Sequence, residues 1–248
     1  MLLSGRSLAQ QCRWNCCPRY PLNFSYLSAR HGDTVFLNLD FVQNFTRHFV
    51  LGIRKKFILV CQNSDREFNA QRLAQLRPYA LHIYSINCVI QDPMVTAVPI
   101  GFGDWSLDFL PAHPKDPVER TIEIYSAFTT TTNPAARKPC ADAMKKDPRA
   151  VIELTPYRHA FYEQLRRSKY VVCPQGEGHD THRIYESLYF GAIPVVLSPN
   201  PLDAMYEGWP LKRVTSWEQM EFNYEEDTLR LQEWRTRNPT WYEMQLPL

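Results

Sequence analysis

The chain has 248 residues, of which 44% are apolar, 22% charged and 13% aromatic, and its net charge is +2 at pH 7. That length suits one large or two compact domains of roughly 100–200 residues each, and the apolar content excludes a wholly disordered chain. No apolar run approaches the ~18 residues of a membrane-spanning helix, no secretory apolar core stands at the N-terminus, and the small net charge argues against nucleic acid as a partner.

Residues 1–32 are rich in Cys, Arg and Tyr and show no period, so they read as irregular. Short apolar runs then follow at Thr34–Leu39, Lys56–Cys61, Leu81–Ile86 and Val95–Ile100, with a helical spacing over Arg66–Leu76 between the second and third. Continuous apolar runs of this length, separated by helical stretches, predict buried parallel strands in an α/β layout. Pro111, Pro114 and Pro117 interrupt the pattern, because three prolines so close cannot sit in a helix or a central strand. They mark the expected domain boundary.

The alternation restarts after them. Strands are expected at Thr121–Ala127, Ala150–Leu154, Tyr170–Cys173 and Ile193–Leu197, with helices at Ala135–Lys146, His159–Ser168 and Thr181–Phe190. Glu225–Thr236 reads as a late amphipathic helix, with Trp241 and Tyr242 as anchors for the tail. The expected division is therefore 1–112, 118–215 and a helical tail 216–248. Both halves read as small doubly wound, Rossmann-like sheets facing a cleft, and open α/β sheets bind ligands beyond the carboxyl ends of their strands.

Candidate chemistry concentrates in Ser168–Val196. A strand ends at Cys173, a loop carries Gly176 and Gly178, and Asp180 or Thr181 can cap the helix that follows. Free amides at a helix start attract an anion, and Arg183 in the first turn can donate two hydrogen bonds to a phosphate. Glu186 lies three residues on, on the same face, where a carboxylate can accept both hydroxyls of a ribose. Phosphate donors beside a diol acceptor point to a nucleoside diphosphate. The alternative is an ordinary surface ion pair between Arg183 and Glu186.

This stretch resembles the exostosin-like glycosyltransferases of family 47 and their small viral and microbial relatives. Gly176, Gly178, Asp180, Thr181, Arg183, Glu186, Gly191, Ile193 and Pro194 stand at the positions of that family's motif. A looser echo covers Gln62-Asn63-Ser64-Asp65, Ile86-Asn87 and Pro99-Ile100-Gly101. The resemblance implies a GT-B fold, a nucleotide-sugar donor on the C-terminal half, an acceptor on the N-terminal half, and inversion at the anomeric carbon. A hexosyl- or pentosyltransferase working in a single step is expected, with UDP-xylose as a candidate donor and a saccharide on a glycan or glycoprotein as acceptor.

Other residues gather around that expectation. Ser126, Thr129 and Thr130 follow the first strand of the second half, and Arg137 opens the next helix as a second phosphate contact. Tyr157 and Arg158 can stack on and bond to the base, while His179 and His182 are candidates for phosphate contact. No Asp-x-Asp pair occurs, so no metal or other cofactor is expected and the UDP-sugar is a co-substrate. An inverting enzyme needs a base near the acceptor hydroxyl. Asp65 is the first candidate, then Asp40, then Asp104; Gln62 and Asn63 can hold acceptor hydroxyls, and Phe102 and Trp105 can stack on sugars.

Two rival readings stay open: a non-catalytic bilobal module that binds nucleotide or sugar, and a GDP-fucose-dependent fucosyltransferase. Seven irregularly spaced cysteines suit a reducing cytoplasm, that of the host for a viral protein. The sequons at Asn23 and Asn44 suit the Golgi lumen, should an anchor precede this sequence.

Overall fold

The computed structural model describes residues 2–25, 27–52, 54–111, 118–154 and 157–243. It is an α/β protein with two parallel sheets of five strands each, compatible with two Rossmann-like domains. The chain divides into two compact units. The first runs to Ile100 and takes in Gly178–Asp180; the second comprises Gly101–Glu177 and Thr181–Glu243. The division falls ahead of the Pro-rich stretch, whose residues 112–117 lie outside the described residues.

In the first unit the strands are β1 (Trp14–Asn15), β2 (Thr34–Asn38), β3 (Phe57–Gln62), β4 (Ala80–Ser85) and β5 (Val95–Ala97), ordered as they occur in the chain. The central strands are apolar along most of their length because both their faces are covered: Val35, Phe36, Leu37, Leu59 and Val60 are all fully buried. Helix α1 (Gly5–Gln11) and strand β1 occupy the segment expected to be irregular. A capping box starts α1, in which Ser4 and Ser7 exchange side-chain and backbone bonds, and Leu8 fills the core. A run of tight and wide helical turns, Leu39–Phe49, contains the short α2 (Val42–Asn44). Helix α3 is confined to Ala70–Leu76, because Asn69 caps it by accepting from Arg72 N and so ends the expected helix on its N-terminal side.

In the second unit the strands are β6 (Ile122–Ser126), β7 (Ala150–Ile152), β8 (Ser168–Val172), β9 (Ile193–Leu197) and β10 (Lys212–Val214). Their order is β10-β9-β8-β6-β7, all parallel. The chain leaves β6 toward β7, then returns on the other side of β6 with β8. Strand order therefore reverses between β6 and β8, the place where open α/β sheets form a ligand crevice. In the first sheet the order runs on without reversal, so the doubly wound arrangement expected of both halves is found in the second alone.

The helices of the second unit are α4 (Pro134–Met144), α5 (Arg158–Arg167), α6 (His182–Tyr189) and α7 (Tyr224–Arg237). Residues 216–243 of the segment expected to be a separate tail are integral to this unit. Asp227 of α7 accepts from Tyr170 of β8 at 2.9 Å, and Trp234 and Trp241 have ring centres 5.4 Å apart beside Trp209. Among the described residues no helix is long and apolar enough to cross a membrane.

Helix α6 ends as its sequence suggests. Gly191 follows it at φ +79°, a left-handed C-terminal stop. The Arg120 guanidinium caps two helix ends at once, donating to Arg166 O at 2.9 Å and Phe190 O at 3.0 Å. A Cβ on Gly191 would stand 2.5 Å from Arg120 Nη2. Gly191→Ala combines a left-handed strain of about 1–3 kcal/mol with that clash. It should lower the midpoint of chemical denaturation clearly, and an unchanged midpoint would contradict this account of the turn.

Candidate active site

The reversal point of the second sheet carries a cavity of about 260 Å³. Three arginines from three helices line it: Arg137 of α4, Arg158 of α5 and Arg183 of α6. Phe128, Phe161 and Leu154 supply its apolar walls, and Thr129 its hydroxyl. Polar groups converging on a partly apolar hollow are the ordinary make-up of a small-molecule site.

Each arginine is held by its surroundings. Arg137 is 9% exposed; its Nε donates to Gln175 O at 2.9 Å and its Nη1 to Thr129 O at 3.1 Å. These bonds tie the loop after β8 to the loop after β6. Asn133 strengthens the tie, capping α4 through Ala136 N and donating to Gly176 O at 2.6 Å. Burial, then the nearby charge of Arg183, pushes the Arg137 pKa down. A guanidinium so crowded by another cation is relieved by an anion. Arg183 donates to Ala127 O and lies 5.7 Å from the Phe161 ring centre. Its Nε is buried with no hydrogen-bond partner among the described residues. Arg158 is the loosest of the three, its side chain 38% exposed and 5.9 Å from the Trp105 ring centre.

Glu186 sits behind this wall and is not part of it. It is 3% exposed, and its Oε1 accepts from Ser106 Oγ at 2.9 Å and from Tyr162 OH at 3.4 Å. Arg158 Nη1 lies 3.9 Å from the same oxygen. Burial, then the Glu186 charge, pushes the Tyr162 hydroxyl well up, so it stays a neutral donor.

The motif expected to act as one piece is divided. Gly176, Thr181, His182, Arg183 and Glu186 belong to the second unit, whereas Gly178, His179 and Asp180 belong to the first. There Asp180 Oδ2 accepts from Ile100 N at 2.8 Å, its own N donates to Asn87 Oδ1 at 2.9 Å, and His179 Nε2 meets Glu67 Oε2 at 3.1 Å. A Cβ on Gly178 would stand 2.7 Å from Asn87 Nδ2, so the close approach needs glycine. Thr181 takes the N-cap position of α6 without a side-chain cap bond, while Asp180 is engaged elsewhere. His182 Nδ1 is 2.7 Å from Gly101 O, and its ring stands edge-on to Trp105.

The remaining candidates are dispersed. Ser126 is buried at the end of β6, Thr130 is half-buried, and Tyr157 is 75% exposed outside the cavity wall. Phe102 is buried against Tyr189 and Trp241 and has no face left for a sugar. Trp105 is half exposed. In the first unit Gln62 is fully buried and donates to Pro99 O at 3.2 Å. Asn63, left-handed at φ 56°, donates to Tyr20 OH at 2.6 Å. Both side chains serve the fold at the end of β3. Asp65 is exposed two residues beyond; Asp40 is exposed too, and accepts from Arg66 Nε at 2.9 Å. Asp104 is half-buried and lies in the second unit.

The walls Phe128, Leu154 and Phe161, and the supports Ser106 and Tyr162, were not legible as site residues. Only position after a strand end could have flagged Phe128 and Leu154. Cys173, at the end of β8, is a protonated thiol, its pKa pushed up to about 12 by burial, and so is no nucleophile. Among the described residues no group of three or more His, Cys, Asp or Glu is placed to hold a metal ion. No protein-family model matches this chain, and no curated protein matches it.

Proposed function

We propose that this chain is an inverting glycosyltransferase of GT-B type, similar to the exostosin-like enzymes, that transfers a sugar from a UDP-sugar to a saccharide acceptor. The observation that carries the reading is the cavity at the strand-order reversal, where three guanidiniums meet two aromatic walls. Its charge suits a diphosphate and its apolar sides suit a nucleoside.

The chemistry follows from that charge. The bond between the anomeric carbon and the β-phosphate oxygen breaks, and negative charge grows on the departing UDP. Arg137 and Arg183, already fixed by carbonyl bonds, meet that charge without reorganising. The acceptor hydroxyl attacks the opposite face of the anomeric carbon and gives its proton to a carboxylate, for which Asp65 is the first candidate. Guanidiniums in this role make a divalent ion unnecessary.

The test is a melting-temperature screen against UDP, GDP and CMP sugars, with UDP-xylose first, followed by donor turnover in EDTA. A ligand present at about a hundred times its Kd stabilises the fold by about 2.7 kcal/mol, well within reach of a melt. Stabilisation by UDP, with turnover that survives chelator, is the expected result. Turnover abolished by EDTA and restored by Mn²⁺ would overturn the metal-free mechanism. Binding without hydrolysis or transfer would reduce the protein to a nucleotide-binding module, and preference for GDP would favour a fucosyltransferase.

A further inference from the structure

We propose that Glu186 is a positioning residue: it fixes the Arg158 guanidinium at the cavity wall and does not itself touch the ligand. The inference rests on reading the cavity as a phosphate site. Three observations carry it. Glu186 is 3% exposed and stands outside the cavity lining, whereas Arg158 is part of that lining. Among the described residues the contacts found for the carboxylate all fall on Oε1: Ser106 Oγ and Tyr162 OH donate to it, and Arg158 Nη1 is paired with it at 3.9 Å. Arg158 is the one cavity arginine for which no bond to a backbone carbonyl is found among the described residues; its other support is the Trp105 ring.

The physical logic is preorganisation. A long, partly exposed arginine loses rotamer freedom when it grips an anion. Ser106 is fully buried and fixes Glu186 by its hydrogen bond, and the Glu186 charge, 3.9 Å from Arg158 Nη1, then restrains Arg158 before the ligand arrives. Arg158 has five N–H donors, and a single contact through Nη1 leaves the others for phosphate.

The experiment is calorimetry on the full chain with inorganic pyrophosphate, UDP and 2′,3′-dideoxy-UDP. Glu186→Gln should weaken all three by roughly three- to tenfold, the cost of ordering one rotamer-rich side chain on binding. In an Arg158→Gln background the same change should have almost no further effect, a non-additivity that general loosening of the fold would not produce. Ser106→Ala, which leaves both charges in place, should weaken pyrophosphate in the same direction and guards against a Glu186 variant that folds poorly. Weakening confined to UDP, with pyrophosphate and dideoxy-UDP unchanged, would overturn the inference and make Glu186 a ribose ligand. Tighter pyrophosphate binding would overturn it as well, leaving Glu186 a simple counter-charge. Failure of the underlying reading looks different: the wild-type chain then binds neither pyrophosphate nor UDP, and the inference falls with it.

Discussion

Arg183→Ala should weaken the binding of UDP and of pyrophosphate by tenfold or more, since a hydrogen bond to a charged group contributes about 1.5–3 kcal/mol. Arg183 lies in the first turn of α6, lines the cavity and holds Ala127 O at the end of β6. Its Nε is a buried donor with no partner among the described residues, a group that costs free energy where it stands. Arg183→Lys keeps the charge but loses the planar fork, so it should fall between wild type and alanine. Because the Ala127 bond is lost as well, melting curves must accompany the calorimetry. Unchanged affinity for both ligands in a folded Arg183→Ala protein would leave Arg183 a structural residue that holds Ala127 O and contacts no ligand.

Asp65→Asn should lower kcat by about 10²–10⁴-fold while leaving UDP affinity and melting temperature near wild type, the loss expected when a general base is removed. Asp65 lies on a loop held from both sides: Asn87 Nδ2 donates to Ser64 O at 3.3 Å, and Arg66 N to Ser64 Oγ at 3.1 Å. Its carboxylate is exposed, with no ion pair among the described residues. Asp40 differs in one decisive respect, since Arg66 Nε already occupies one of its oxygens. Asp40→Asn and Asp104→Asn are therefore expected to keep most of the activity. Should Asp65→Asn transfer sugar at the wild-type rate while Asp40→Asn is inactive, the base is Asp40. Activity in all three variants would mean that the base lies elsewhere or that the enzyme retains configuration, and the anomeric coupling of the product separates the two.

The strands were legible because of where they lie. A strand covered on both faces reads as a short, mostly apolar run; β3 and β9 announce themselves that way over nearly their whole length, and β6 and β8 do so despite Glu123 and Lys169. The stop of α6 at Gly191 was legible for an equally local reason, since only glycine enters the left-handed region without strain. Helix α1 and strand β1 escaped because seven residues and two residues are too short to show a period. The N-terminal end of α3 was misplaced because the capping preference of Asn69 outweighs the helical spacing ahead of it.

The site divides along the same line. Arg137, Arg158 and Arg183 were named from position alone, each at or near the start of a helix that follows a strand, and these are the side chains that meet at the cavity. By itself, then, the sequence determined the alternation of elements and which cations stand at their carboxyl edge, because both depend on neighbours a few residues away. The order of the strands, and with it the reversal at β6 and β8, depends on pairings between residues far apart in the chain, which no local spacing records. The burial of Glu186 behind Arg158 and the loss of Phe102 to the core are likewise effects of distant segments, Ser106 in one case and Trp241 in the other. Tertiary structure alone decided them, because burial and hydrogen bonding are set by whichever groups packing brings within a few ångströms.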